Sequence, residues 1–350
     1  MTKALLKDWL GSSRVLAWAQ RADTPRVAVL MYHDLCEDGD LDNWMRVPVS
    51  RFLAQLSACA EVGAFVAPAD LEAPERLPRD RLSFLLTFDD GYVNNARLAA
   101  PLLRARGIPA LFCVSTGPVS RGDPFWTDVV VTPLQARRLT RLDLGPLGLG
   151  EFRFRAAPAA GRWDDIQRLL VAIKALGNED QPPVAAVLAW FRETFAGDLR
   201  THLPRFRPLD PQEIRSLAAD GGFAFASHGH EHRILTRLDD AALRESLVGS
   251  RRLLEEATGA PVTQLAYPNG DHDPRVTGAV AAAGYTLAYT TRPGLVAGRR
   301  DALALPRVAV GGFDSPAVLR FQLLRALWRW RRQESGRPLE IVRRAREETS

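Results

Sequence analysis

The sequence predicts an α/β fold, a parallel sheet or barrel covered by helices. Three observations carry this. Strand-like and helix-like stretches alternate along the chain, the strand-like runs are apolar almost throughout, and the chemistry-bearing residues fall at the ends of those runs. A strand buried on both faces reads as a continuous apolar run, whereas a half-exposed strand alternates. At 350 residues the chain exceeds a typical single domain, but a barrel of about 250 residues tolerates insertions.

In order, RVAVLM (26–31) is a strand. Ser50 is expected to cap a helix from Arg51 to about Val62, closed by Gly63. LSFLLTF (82–88) is a second strand, Asn94 to Arg106 a helix ended by Gly107 and Pro109, and 110–114 a third strand. Asp210, Pro211 and Glu213 supply an N-cap, a first-turn proline and a capping-box partner for a helix to Ala219. GFAFAS (222–227) is a strand, 239–258 an amphipathic helix ended by Gly259, and TQLAY (263–267) a strand. Asp273 and Pro274 open a helix that Gly284 ends, before YTLAYT (285–290). Residues 118–208 break the rhythm with Arg, Pro and Gly clusters and two helical patches, near 162–176 and 184–196, and read as an inserted helical subdomain. The expected organisation is an N-terminal segment (1–25), a barrel (26–312) with that insertion, and a C-terminal basic helix and tail (313–350).

Composition is that of an ordinary globular protein, 46% hydrophobic and 25% charged. A net charge of +5 and a pI near 9.4 permit an anionic partner but are a modest density over this length. No nucleic-acid partner is expected. Cys36, Cys59 and Cys113 form no CxxC and read as small core residues of a reducing compartment. The N-terminus lacks an unbroken apolar core and a small-residue cleavage site, and no apolar run reaches membrane-spanning length, so a cytoplasmic location is the expectation. FQLLRALWRWRRQ near the C-terminus is a basic, aromatic helix. Peripheral contact with an anionic membrane is one reading of it; packing on the barrel with its arginines in water is the plainer one.

LLTFDDGY places Asp89 and Asp90 after a buried strand, with Gly91 turning the chain. Two adjacent carboxylates disfavour joint ionisation unless something uses them. A turn or cap acid would explain one Asp better than the pair. ASHGHEH brings three of the six histidines into five residues. If these form a helical turn, His228 and His232, four apart, share a face and can meet one metal while His230 points away. Two imidazoles and a carboxylate leave coordination positions open, as catalytic sites do. His33, in LMYHDL, ends the first strand; a buried His satisfied by a backbone partner is the plain alternative. LAYPNGD turns at Pro268, Asn269 and Gly270, where backbone N–H groups can face an oxyanion. An ordinary turn is the competing reading. All four motifs end strands, the face on which parallel barrels build active sites.

These motifs resemble the polysaccharide deacetylase family, carbohydrate esterase family four or the NodB-homology domain. TFDDG (87–91) matches its first motif and His-x-x-x-His (228–232) its second, with the likeness spanning roughly 26–310 apart from 118–208. The resemblance implies a distorted (β/α)7-type barrel that removes the N-acetyl group from an aminosugar. It implies Asp89 as general base and Asp90, His228 and His232 as ligands of a divalent metal, Zn²⁺ being the expected ion. YHD (32–34) is similar to the circularly permuted branch, the poly-N-acetylglucosamine deacetylases, which implies His33 as general acid and a link to exopolysaccharide biosynthesis. The third motif departs from the family, with Ala266 at its Arg position and Asn269 at its Tyr position. The oxyanion donor is a backbone N–H, so Asn269 can still serve. Arg307, in LPRV, is the candidate partner for the base, and Asp128, in FWTD, the candidate to orient His33. Trp126, Trp163 and Trp190 of the insertion are candidates to stack on sugar rings. His202 and His272 read as surface residues.

The expected substrate is an N-acetylated saccharide or glycan precursor, and removal of formyl, or action on a lipid-linked sugar, stays open. A non-haem iron oxygenase also uses two His and one carboxylate, but on an all-β double sheet. A non-catalytic sugar-binding protein with this fold is the third reading, and the altered third motif is its best support.

Overall fold

The computed structural model describes residues 24–40, 43–298 and 301–335; the N-terminal segment up to 23 and the charged end from 336 lie outside them. Seven parallel strands close into a barrel: β1 (Val27–Tyr32), β2 (Leu82–Phe88), β3 (Ala110–Val114), β4 (Phe223–Ser227), β5 (Gln264–Ala266), β6 (Leu287–Pro293) and β7 (Leu305–Ala309). The sheet runs β1-β7-β6-β5-β4-β3-β2, and pairing of β2 back onto β1, Val27 opposite Ser83 through Tyr32 opposite Phe88, closes it. Gly63–Phe65 adds a short edge beside the start of β2. This is the α/β barrel class that the alternation predicts, and it lacks the all-β sheet that the iron-oxygenase reading requires.

The apolar strand runs have a direct cause. Alternate residues of a strand face opposite sides, and here both sides are buried. Val27 and Val29, Leu85, Leu111 and Cys113, Ala226, Ala266 and Leu305 belong to one cluster within the barrel. Their neighbours Ala28 and Leu30, Phe84 and Leu86, Phe112, Phe225 and Leu265 belong to a larger cluster under the helices. All three cysteines are free and buried.

Caps form where the sequence opens helices at Asp210 and Asp273, whose side chains accept from the Glu213 and Val276 N–H groups; Asp239, read as the first residue of its helix, is instead its cap and accepts from the Ala242 N–H. Ser50 is different. The helix there runs Val49–Ala60 with Pro48 at its N-cap, and the Ser50 hydroxyl bonds Asp38 at 2.9 Å instead. Proline fixes an extended entry two residues earlier than the Ser signal implied. The stretch from Asn95 opens on a π turn before becoming helical at Ala100. β7 went unread as a strand because Pro306 and Arg307 interrupt its apolar run.

A second hydrophobic unit lies between β3 and β4. Helices Trp126–Ala136, Ala159–Ala175 and Pro182–Thr194 and a hairpin (Arg141–Leu144 with Gly150–Arg153) surround a separate core of Val130, Leu134, Ile166, Leu170 and Phe191. At the other end, helix Pro316–Ser335 buries Leu319, Leu323, Leu324 and Leu327 against the barrel, and Arg26 lies over the Trp330 ring. Its apolar face is thus taken up by the fold. Among the described residues no helix is long and apolar enough to cross a membrane.

Candidate active site

The strand period builds the site. Stepping by two from the inner cluster leads along β1 to His33, along β2 to Thr87 and Asp89, off β4 to His228, and along β7 to Arg307. The polar residues therefore cap the same column that holds the barrel's apolar interior. Asp90 has the opposite parity, and a left-handed turn compensates, with φ +73° at Asp90 and +90° at Gly91. Gly91 is required on two counts: its backbone angle, and a β-carbon there would lie 2.9 Å from Val114.

Arg307 is buried and grips Asp89 with both arms, each N–H donating at 2.7 Å to a different carboxylate oxygen. It also donates to the Thr290 carbonyl at 2.9 Å and the Thr87 hydroxyl at 3.1 Å. Burial opposes the ionisation of Asp89, but the Arg307 guanidinium together with His228 and His33 outweighs it and holds the carboxyl below its usual range. Ala266 stands at the third motif's Arg position, and its carbonyl accepts from His228 Nδ1 at 2.8 Å. That bond fixes the ring and leaves Nε2 available.

Asp90 Oδ1 lies 3.5 Å from His228 Nε2 and 3.2 Å from His232 Nε2, and the three ligand atoms lie within 4.8 Å of one another. The imidazoles hold the Asp90 carboxyl well below its usual range against the opposing effect of burial. The expected helical turn is absent. Residues 228–232 form a loop in which Gly229 and His232 adopt left-handed φ of +72° and +54°. This folds His232 back onto His228, with ring centroids 4.9 Å apart. His230 turns away to the Thr116 hydroxyl, 2.8 Å off.

A divalent cation fits this donor set: two imidazole nitrogens and a buried carboxylate oxygen lacking a hydrogen-bond donor converge, and a backbone carbonyl holds one imidazole by its far nitrogen.

His33 lies among Asp89, Asp90, Arg307 and His228. Burial lowers its pKa, while Asp90 and Asp89 pull the other way. Its Nδ1 is buried without a hydrogen-bond partner. Asp128 does not orient it. That carboxylate instead accepts from Arg46 at 2.6 Å and from the Tyr92 hydroxyl at 2.8 Å. Arg46, 3.6 Å from Asp34, is the nearest buried cation to two buried acids, so Asp128 is drawn to it.

Asn269 is exposed in the Pro268–Gly270 turn with φ +60°; its amide donates to Asp271 and its oxygen accepts from Lys174 at 2.8 Å. Lys174 comes from the insertion, as do Phe125, whose ring is 5.7 Å from that of His232, and Trp126, which lines the adjoining pocket. No local motif marks Lys174 or Phe125, since both reach the site only when the insertion docks. Of the other insertion tryptophans, Trp163 is buried in the insertion core and Trp190 packs edge-on against Phe191 and Phe195. His272, read as a surface residue, stacks on Tyr267 with ring centroids 5.2 Å apart.

The polysaccharide deacetylase family model matches residues 158–288, which hold His228, His232 and the Asn269 turn; His33, Asp89, Asp90 and Arg307 lie outside the match. No curated protein matches by sequence. Among solved structures, the deacetylase PplD of Streptococcus pyogenes in complex with acetate superposes with a TM-score of 0.55 at 16% identity, covering 87% of this chain and 99% of its own. IcaB from Ammonifex degensii gives 0.54 at 20% identity, covering 87% and 98%. A de-N-acetylase from Aggregatibacter actinomycetemcomitans gives 0.51 at 12%, covering 85% and 99%. At these identities the structural likeness establishes the fold.

Proposed function

From its polysaccharide deacetylase signature over residues 158–288, we propose that the chain is a metal-dependent N-deacetylase of an aminosugar in a saccharide or glycan precursor. The observation that carries the reading is the pairing of a three-ligand cation site with a separate, Arg-clamped carboxylate beside it, Asp89.

Asp90, His228 and His232 would hold the cation, and Zn²⁺ suits two nitrogens and one oxygen with coordination positions left open. When bound, it supplies Lewis acidity toward the amide carbonyl and acidifies water. Asp89 takes the proton of the attacking water, and Arg307 keeps both carboxylate oxygens aligned for that task. The Asn269 N–H faces the oxygen on which negative charge develops. His33 delivers a proton to the departing amine as the C–N bond breaks. Acetate and a free aminosugar result. His33 must be protonated for its part, so its depressed pKa favours reaction on the acid side of neutrality.

The test is acetate release from N-acetylglucosamine oligomers by parent and Asp89→Asn proteins, with bound metal measured in both. The variant is expected to keep its metal and lose turnover by about 10²–10⁴-fold. Parental activity in Asp89→Asn sinks the assignment of the base, and absence of acetate from every saccharide tried with the metal-loaded parent sinks the deacetylase reading.

A further inference from the structure

The turn that follows β5 is held differently from Asp89 and His228. Those two are buried and gripped by buried partners, whereas Asn269 is exposed. Its backbone takes a left-handed φ of +60°, which side chains enter at a cost, though asparagine bears it better than most. The barrel secures the backbone of the turn. Gly270 N–H donates to the Tyr267 carbonyl at 2.9 Å, His272 Nδ1 to the Gly270 carbonyl at 3.0 Å, and the Thr291 hydroxyl to the Asn269 carbonyl at 3.3 Å. None of these bonds reaches the Asn269 side chain.

The insertion does reach it. Lys174 Nζ donates to Asn269 Oδ1 at 2.8 Å, and Asn269 Nδ2 donates to Asp271 Oδ2 at 2.6 Å. The amide is thus held between a cation and a carboxylate. Each charge strengthens the bond at the other end, because a polarised amide is both a better acceptor and a better donor. The charges also fix which way round the amide stands, oxygen to the ammonium and nitrogen to the carboxylate. Lys174 is itself in place before any ligand arrives. It lies in the last turn of helix Ala159–Ala175, next to Ile173 of the insertion core, and Arg237, from the loop after β4, donates to its carbonyl at 2.7 Å. Among the described residues no carboxylate lies within ion-pair distance of its ammonium, so the Asn269 oxygen is the contact that it keeps. Burial lowers the Lys174 amine from its ordinary range, and the charges of Asp90 and Asp271 oppose that shift.

We propose that Lys174 is a positioning residue of the reaction: it locks the Asn269 side chain and so aims the Asn269 N–H at the oxyanion, which makes the docked insertion part of the working site rather than a cover. This rests on the deacetylase reading for the oxyanion, though not for the lock. Misplacing a group by about an ångström costs about a hundredfold in rate and removing a donor about 10²–10³-fold, so loosening a donor that stays on the chain should cost about tenfold.

The experiment is a double-mutant cycle on acetate release from N-acetylglucosamine oligomers by metal-loaded protein. Lys174→Met removes the ammonium, and Asn269→Gly removes the amide while leaving the left-handed backbone accessible. Each should lower kcat about tenfold with KM within about twofold and metal content unchanged, the pattern of an interaction that matters in the transition state. The double variant should be no slower than the slower single one, since Lys174 acts through Asn269. Lys174→Arg keeps a cation at that end and should recover most of the rate. A second measurement needs no turnover: hydrogen exchange in the Pro268–Asp271 turn should be about tenfold faster in Lys174→Met than in the parent. Thermal unfolding confirms that each variant is folded, and Lys174→Ala takes the place of Lys174→Met if the latter is not. The proposal is overturned if the two losses multiply in the double variant, if Lys174→Met raises KM and spares kcat, if Lys174→Arg is no faster than Lys174→Met, or if the turn exchanges at the parental rate. Faster exchange in Lys174→Met, with no acetate released by the parent, upholds the lock and overturns the deacetylase reading instead.

Discussion

The barrel rim and the insertion meet at one cleft but are built on different terms. On the rim, each functional group is held by buried partners: Asp89 by Arg307, Arg307 by Thr87 and Thr290, His228 by the Ala266 carbonyl. The insertion has its own core and reaches the cleft with a few side chains, among them Trp126, Lys174 and Glu179, which are half-buried or partnered only at the surface. The difference teaches a division of labour. Rigid strand ends fix reacting groups to within a fraction of an ångström, while a separately folded unit can vary the wall that meets the substrate without disturbing them.

The largest expected effect falls on the rim. Asp90→Ala removes the carboxylate that converges with His228 and His232. Metal content by elemental analysis should drop from one ion per chain to near none, and activity should fall by more than about a hundredfold, beyond the loss expected for an outer partner. Full metal content in that variant would break the contrast at its strongest point.

Arg307→Met comes next. It leaves Asp89 buried without its cation, which typically costs about 3–5 kcal/mol of stability. Denaturant unfolding should show the loss, and turnover should fall with it as the Asp89 carboxyl rises toward its usual range. A parental unfolding midpoint would mean that the clamp is not part of the rigid rim.

A further effect concerns the seam between the two regions, where Asp128 of the insertion and Asp34 of the rim share Arg46. Burial raises both acids, Asp34 to about 8 and Asp128 to about 6. Raised carboxyls hold protons in the folded state that the unfolded chain has released, so their contribution is complete below the unfolded value and is lost as pH rises through the folded ones. Unfolding free energy should therefore decline between about pH 4 and 8, and Asp34→Asn should flatten that slope. An unchanged slope would show that the seam does not titrate as a unit.

Much of this was legible in the chain. Apolar runs buried on both faces gave the strands, Asp210 and Asp273 gave two helix starts, and Asp89, Asp90, His33 and His228 announced themselves by ending strands. β7 was illegible because a proline and a buried charge break its run, and that charge, Arg307, is the one that clamps Asp89. The route to His232 was misread, since a loop with two left-handed residues can bring the same atoms together as a helical turn.

The sequence by itself determined which residue types stand at the strand ends, because strand period and apolar patterning are local properties of neighbours in the chain. Tertiary structure alone decided that Arg307 meets a carboxylate 218 residues away, that Asp128 answers to Arg46 rather than His33, and that Lys174 reaches Asn269 from the insertion. Such pairings depend on which buried charges the closed barrel and the docked insertion leave within reach of one another, and no local pattern encodes that distance.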